Sequence, residues 1–178
     1  MAVQTQHGFV PMLINGEGVE AASGVTFPIE NPARQREQIA TVPRSDASDV
    51  DRAVQAAAEA FKTWRKVAPA ERGAAMLKIA QGMRDQAEEI ATTIATETGN
   101  AIRTQARGEV KSAVDIFQYF GGVATELKGE VVPISEDLLV YNRREPIGVV
   151  GAIIPWNAPV MLGALRLPWL SRPAIRWS

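Results

Sequence analysis

Gly148-Val149-Val150-Gly151-Ala152-Ile153-Ile154-Pro155-Trp156-Asn157-Ala158-Pro159 is the stretch on which the fold turns. Val149–Ile154 is a short apolar run of small and β-branched residues, the composition of a strand buried in a parallel sheet. Pro155 ends it, because proline cannot donate to a strand ladder. Val160–Leu165 then begins a helix. Strand, loop and helix in that order mark the start of an α/β layer of the nucleotide-binding kind, whose ligands sit at the carboxyl ends of strands. The loop is stiffened by a proline at each end and carries Trp156 and Asn157. Two readings of it stand side by side. Asn157 either caps the following helix while Trp156 packs, or its side-chain N–H₂ is free to stabilise an oxyanion.

Upstream, Glu130–Ile134 and Leu138–Arg144 are extended runs around Ser135-Glu136-Asp137, a hairpin pattern. Before them lies a helical region. Ser48 and Asp49 suit an N-cap and first turn, and Val50, Val54, Ala57, Phe61 and Trp64 recur at helical spacing. Pro69 suits the first turn of a second helix. Met76, Ala80, Met83, Ala87, Ile90 and Ile94 form a stripe that Asp85-Gln86 could divide and Thr98-Gly99-Asn100 ends. A last helix is expected from about Ala101 to Leu127, with Val110, Val114, Phe117 and Gly121 on one face. Such stripes are core-facing scaffold. At the start, Met12–Ile14, Asn15-Gly16 and Gly18–Glu20 read as a hairpin, Asn-Gly favouring a type I′ turn. Thr26–Ile29 and Gln38–Val42 form a second extended pair about Asn31-Pro32.

Composition narrows the chemistry. There is no cysteine, which removes disulfides, thiolate zinc sites and cysteine nucleophiles from this chain, and His7 is the single histidine. Net charge is -1, with 19 basic and 20 acidic residues, so neither nucleic acid nor an acidic membrane is expected as partner. No run approaches the roughly 20 apolar residues of a membrane span, and Met1–Val10 lacks the basic and apolar regions of a secretion signal. A cytoplasmic location is the expectation.

Tyr141-Asn142-Arg143-Arg144-Glu145-Pro146-Ile147-Gly148-Val149-Val150, running into Ile153-Ile154-Pro155-Trp156-Asn157-Ala158-Pro159, resembles the aldehyde dehydrogenase superfamily. Leu13-Ile14-Asn15-Gly16, Asn31-Pro32, the Ala53–Trp64 helix, Pro69-Ala70-Glu71-Arg72 and Glu97-Thr98-Gly99-Asn100 agree in order. The likeness covers about Met12 to Leu165. It implies an α/β fold, the N-terminal part of the aldehyde dehydrogenase fold, truncated. On that resemblance residues 1–129 are strands and helices of the cofactor-binding domain, and 130–146 a β-hairpin of the oligomerisation arm. Residues 147–165 are the first strand, loop and helix start of the nucleotide-binding sheet. Asn157 matches the oxyanion donor, and Ile153, Ile154, Pro155 and Trp156 match the loop lining the nicotinamide and ribose part of the cofactor site.

The resemblance further implies NAD or NADP as cofactor, with the site incomplete in this chain. It implies an aldehyde as substrate in full-length relatives, and a homo-oligomer. The Trp-Asn form is similar to hydrolytic members more than to CoA-acylating ones. The family's chemistry uses a cysteine thiolate, hydride transfer to NAD(P)⁺ and a glutamate that activates water. Those residues lie beyond this C-terminus, so the chain alone is expected to be inactive. The alternative expectation is a non-catalytic fragment that associates with itself or with intact relatives through residues 130–144.

Residues 166–178 look foreign to what precedes them: Arg166, Arg172 and Arg176 stand among Pro168, Pro173, Trp169 and Trp177, with no acidic residue. Read one base earlier, codons compatible with Trp169–Ser178 can spell Ala-Leu-Ala-Ala-Gly-Asn-Thr-Val-Val, the continuation that the resemblance leads one to expect. A frameshift between about Leu165 and Trp169 is therefore the expectation, against a natural helix end with a divergent tail. A lone Val149–Ile154 strand with open edges is expected to favour aggregation.

Overall fold

β1 (Gly8–Phe9), β2 (Met12–Ile14) and β3 (Glu17–Val19) open the computed structural model, which describes residues 8–34 and 36–167. Asn15 and Gly16 have φ of 55° and 81°, the left-handed pair of a type I′ turn, and they set β2 antiparallel to β3 with Met12 opposite Val19. β4 (Thr26–Glu30) reverses at Asn31, whose Oδ1 accepts from the Ala33 N–H at 2.9 Å, and returns as β5 (Gln38–Pro43). β5 is the centre of a three-stranded sheet, antiparallel to β4 and parallel to β1. Pro28, which has no N–H to give, sits where it does least harm, on the edge strand β4.

α1 (Ala47–Trp64) begins two residues earlier than the sequence reading placed it. Its N-cap is Asp46, which accepts from the Ser48 N–H at 2.8 Å, while Asp49 Oδ2 accepts from the Asp46 N–H at 3.1 Å. A reciprocal box of this kind needs the second carboxylate at the third helical position, and Asp49 occupies it only if Asp46 is the cap. Asp49 Oδ1 also accepts from the Ala22 N–H at 2.9 Å, so a 2 % exposed carboxylate fastens the turn after β3 to α1. The stripe Val50, Val54, Ala57, Phe61 and Trp64 shares one face of α1, as its spacing requires, yet Val50, Val54 and Trp64 stay exposed. Helical periodicity identifies a face that wants burial; it does not supply the surface that buries it.

α2 (Pro69–Asp85) and α3 (Ala87–Thr98) are divided at Gln86, and α3 stops at Gly99 with φ of 78°. The long helix expected from Ala101 to Leu127 is shorter and broken. Ile102–Ala106 is a π-helical turn, in which the Ala106 N–H reaches back to the Ala101 carbonyl at 3.2 Å, and α4 (Arg107–Gly122) follows. The wider turn shifts the helical phase so that Ala106 is fully buried with Ala91, Ile94 and Val110 between α3 and α4. A second cluster joins Met76 and Ala80 of α2 to Ala113, Val114 and Phe117 of α4 and to Ala164. The division at Gln86 thus splits the sequence stripe between two cores. α2 and α4 meet closely because both carry glycine at the crossing: a Cβ on Gly73 would lie 2.6 Å from the Gly121 carbonyl oxygen.

β6 (Val131–Ser135) and β7 (Leu138–Tyr141) form the expected antiparallel hairpin, with Val131 opposite Tyr141. α5 (Pro159–Arg166) closes the described chain. The buried parallel strand expected at Val149–Ile154 is not formed: among the described residues this segment carries no strand pairing, and Ile153 is 96 % exposed. A parallel strand draws every ladder bond from neighbours brought alongside by crossovers, and no described strand pairs with this segment. The mixed α/β class stands. The expected frameshifted tail lies, from Pro168 onward, outside the described residues.

One ion pair links α3 to the start of α4. Arg107 donates from Nε and Nη2 to the two Glu88 carboxylate oxygens at 2.9 and 2.6 Å, which holds the Glu88 carboxyl below the usual glutamate range. The hydrogen bonds from Ser48 hold Asp46 low in the same way. Both groups bind a proton less readily folded than unfolded, so their stabilisation is present above the ordinary values of 4.5 and 3.8 and is lost as pH falls below them. Both side chains are exposed and screened by solvent, so the effect is small. A melting-temperature series from pH 6 to pH 3 should show Glu88→Gln flattening the acid-side decline; an unchanged decline would remove this pair from the account.

Candidate functional site

The loop from Ile153 to Ala158 runs from a stretch lying opposite α1 to the seated start of α5. On its N-terminal side Gly148, Val149 and Val150 face Ala57, Ala60, Phe61 and Trp64 of α1 across a cavity of ≈260 Å³. On its C-terminal side α5 is seated on α4, with Ala164 2 % exposed in the core and Val160 against both apolar clusters. Pro159 occupies the first turn of α5, where its fixed φ suits a helix start and its missing N–H costs nothing.

The five residues singled out from the sequence are brought together on this loop. Ile153 is 96 % and Trp156 82 % exposed, Pro155 and Asn157 are exposed, and Ile154 is half-buried. They make an exposed, largely apolar stretch with a single side-chain amide. Between the two readings of Asn157, the structure speaks to the capping one. The N-cap of α5 is Ala158, and no side chain of the cap residue bonds the first turn. The helix start is satisfied instead from across the chain: Glu109 Oε1 accepts from the Val160 N–H at 2.8 Å and from the Met161 N–H at 3.2 Å. The Asn157 backbone carbonyl accepts from Asn100 Nδ2 at 3.0 Å.

From the sequence, Asn100 is legible only as part of a helix end and of the Glu97–Asn100 motif, and Glu109 does not stand out. Glu109 carries one faint signal: it lies three residues after Ala106 and four before Ala113, on the buried side of its helix, and is only 7 % exposed. An acid there demands a partner, but the partner is two amides more than fifty positions away, which no local pattern reveals. A buried cation, Arg72, lines a cavity of ≈270 Å³ with Trp64, Met76, Ile79, Phe117 and Leu167, and its Nε has no hydrogen-bond partner among the described residues. No group of three or more His, Cys, Asp or Glu among those residues could hold a metal ion, and no helix is long and apolar enough to cross a membrane.

Comparison with known proteins places this architecture. A model described as the aldehyde dehydrogenase family matches residues 19–169. The α-ketoglutaric semialdehyde dehydrogenase of Bacillus subtilis (strain 168) is 39% identical over 176 residues, which cover 98% of this chain and 35% of that protein. An aldehyde dehydrogenase of Aspergillus niger is 39% identical over 165 residues, 92% of this chain and 32% of its own length. The crystal structure of an NAD-dependent aldehyde dehydrogenase from Sinorhizobium meliloti superposes with a TM-score of 0.88 at 37% identity, covering 93% of this chain and 34% of that one. The NAD⁺ complex of an aldehyde dehydrogenase from Bacillus cereus gives 0.88 at 35% identity, with coverage of 93% and 34%. The chain spans about a third of the length of the curated relatives it matches.

Proposed function

We propose, because this chain belongs to the aldehyde dehydrogenase family, that it is the N-terminal portion of an NAD(P)-dependent enzyme oxidising an aldehyde to a carboxylic acid. The observation that carries the reading is the Ile153–Ala158 loop: one amide on an exposed, largely apolar stretch, held at its C-terminal end and free of a capping duty. In this reading Asn157 donates its side-chain N–H to the oxygen of the substrate carbon as that oxygen gains negative charge. A preset amide costs little reorganisation at that moment, which is why a short side chain on a braced loop suits the role. Ile153, Ile154, Pro155 and Trp156 form the apolar wall against the nicotinamide and ribose. The four residues fit such a group, since Trp156 exposes a flat ring, Ile153 exposes apolar area and none of the four is charged. NAD(P)⁺, when bound, supplies the hydride acceptor.

The chain contains no cysteine, so it has no thiolate to add to an aldehyde carbon. Two outcomes therefore belong together. The 178-residue chain, mixed with NAD⁺ or NADP⁺ and a panel of aldehydes, produces no absorbance at the wavelength of the reduced cofactor. A chimera in which residues 19–165 replace the matching segment of the Bacillus subtilis relative does produce it. A folded chimera without activity would sink the enzymatic reading, and turnover by the chain alone would overturn its inactivity.

A second reading rests on the hairpin. Val131, Ile134, Leu138, Leu139 and Tyr141 are all more than half exposed, on a two-stranded unit that cannot bury both its faces alone. In that reading residues 130–144 associate with a second copy or with an intact relative, as an oligomerisation arm. Light scattering on the chain, with Leu139→Lys as the control, distinguishes an associating fragment from a monomer.

A further inference from the structure

We infer that Asn100 and Glu109 are positioning residues that brace the Asn157 loop from its two sides; the functional weight of this rests on the oxyanion reading of Asn157. The segment Val149–Ala158 has no helix or strand of its own among the described residues, and Ile153 and Trp156 stand in solvent. The location of the Asn157 amide must therefore come from elsewhere. It comes from α3 and α4.

The first brace is Asn100. Its Nδ2 donates to the Asn157 carbonyl at 3.0 Å across 57 positions of sequence. Asn100 is itself held, because its N–H donates to Thr98 Oγ1 at 3.1 Å just past the left-handed Gly99 that ends α3. The second brace is Glu109. In the first turn of α5 Pro159 has no N–H, and the Leu162 N–H is taken by the Ala158 carbonyl at 3.0 Å. That leaves the Val160 and Met161 amides without intrahelical acceptors. A serine or aspartate at the N-cap is the usual remedy, but the cap is Ala158, and one Glu109 oxygen takes both amides at 2.8 and 3.2 Å. Its negative charge also lies where the positive end of the α5 dipole favours it.

Only Ala158 and Pro159 separate the residue held by Asn100 from the first amide held by Glu109. Proline fixes one of the few torsions in that interval. The Asn157 backbone is thereby tied to both α3 and α4, while its side chain stays exposed. Neither brace touches the proposed reacting atoms.

Two readouts on the 178-residue chain test this: hydrogen–deuterium exchange of peptides from residues 158–166, and the rate of limited chymotryptic cleavage after Trp156 for the mobility of residues 153–157. Glu109→Ala should speed exchange in 158–166 about tenfold, the loss of a charge-assisted hydrogen bond, with α2 and α3 unaffected. Glu109→Gln keeps an acceptor oxygen and should restore most of the protection, which a general loss of packing would not. Asn100→Ala should loosen 153–157 and leave 158–166 protected. Unchanged exchange in 158–166 for Glu109→Ala, or an equal rise across all helices, would overturn the brace. If Glu109→Ala does not fold, Asn100→Ala decides: a loosened 153–157 supports the brace and an unchanged one rejects it. Asn157→Ala should keep α5 protected, so an Asn157 without a catalytic role would leave these results intact and fail only in the chimera's turnover.

Discussion

Replacing Phe117 by alanine should cost about 3–5 kcal/mol of unfolding free energy. Phe117 is 4 % exposed and packs with Met76, Ala80, Ala113, Val114 and Ala164, so its ring holds α2, α4 and α5 to one another. It also borders the ≈270 Å³ cavity beneath Trp64 and Leu167. Truncation would enlarge a space that already exists, and the small alanines around it cannot swing in to fill the gap. For a domain whose total stability is on the order of 5–15 kcal/mol, such a loss removes a large share of the folded state. Urea unfolding followed by far-ultraviolet circular dichroism gives the number. Tyr119→Ala, at a position 64 % exposed on the same helix, is the control and should change little. A Phe117→Ala midpoint equal to that of Tyr119→Ala would mean that the α2–α4 cluster is not the stabilising core.

Asn157→Ala in the chimera should lower kcat by about 10²–10³ with little change in KM for the cofactor, the magnitude that one lost oxyanion donor produces. The amide acts on charge that exists only as the reaction proceeds, so its removal raises the barrier and leaves ground-state binding alone. The apolar wall should behave oppositely. Trp156 is 82 % exposed, and its ring, in the proposed role, touches cofactor in ground and transition states alike. A KM effect without a kcat effect at Asn157 would move that residue from chemistry to binding.

Local patterns were read well where a single turn or helix end decides the backbone. Asn15-Gly16 specifies its turn because only residues tolerant of positive φ can make it. Gln86 separates α2 from α3 and Gly99 ends α3 where the sequence placed the boundaries. The misreadings share a cause. Asp46 and Ser48 are both cap-forming residue types two positions apart, and only the pairing of Asp46 and Asp49 with each other's backbone amides selects Asp46. The helix drawn unbroken from Ala101 to Leu127 hid the π-turn at Ile102–Ala106, which shifts phase to seat Ala106 against α3 and has no composition signal of its own. The strand drawn at Val149–Ile154 needed neighbours that its own apolar residues cannot provide.

The family, the order of elements and the loop that carries Ile153 to Asn157 were determined by the sequence itself, since a long motif constrains consecutive residues and is legible without contacts. What holds that loop was decided only in three dimensions. Asn100 and Glu109 act on it across more than fifty residues through three hydrogen bonds in all. A hydrogen bond depends on distance and direction between two atoms, and chain separation of that size encodes neither. Burial followed the same rule. Phe117 and Val50 both lie on apolar helical stripes, but one meets α2 and α5 while the other faces solvent, because only the packing of other elements settles which stripe becomes core.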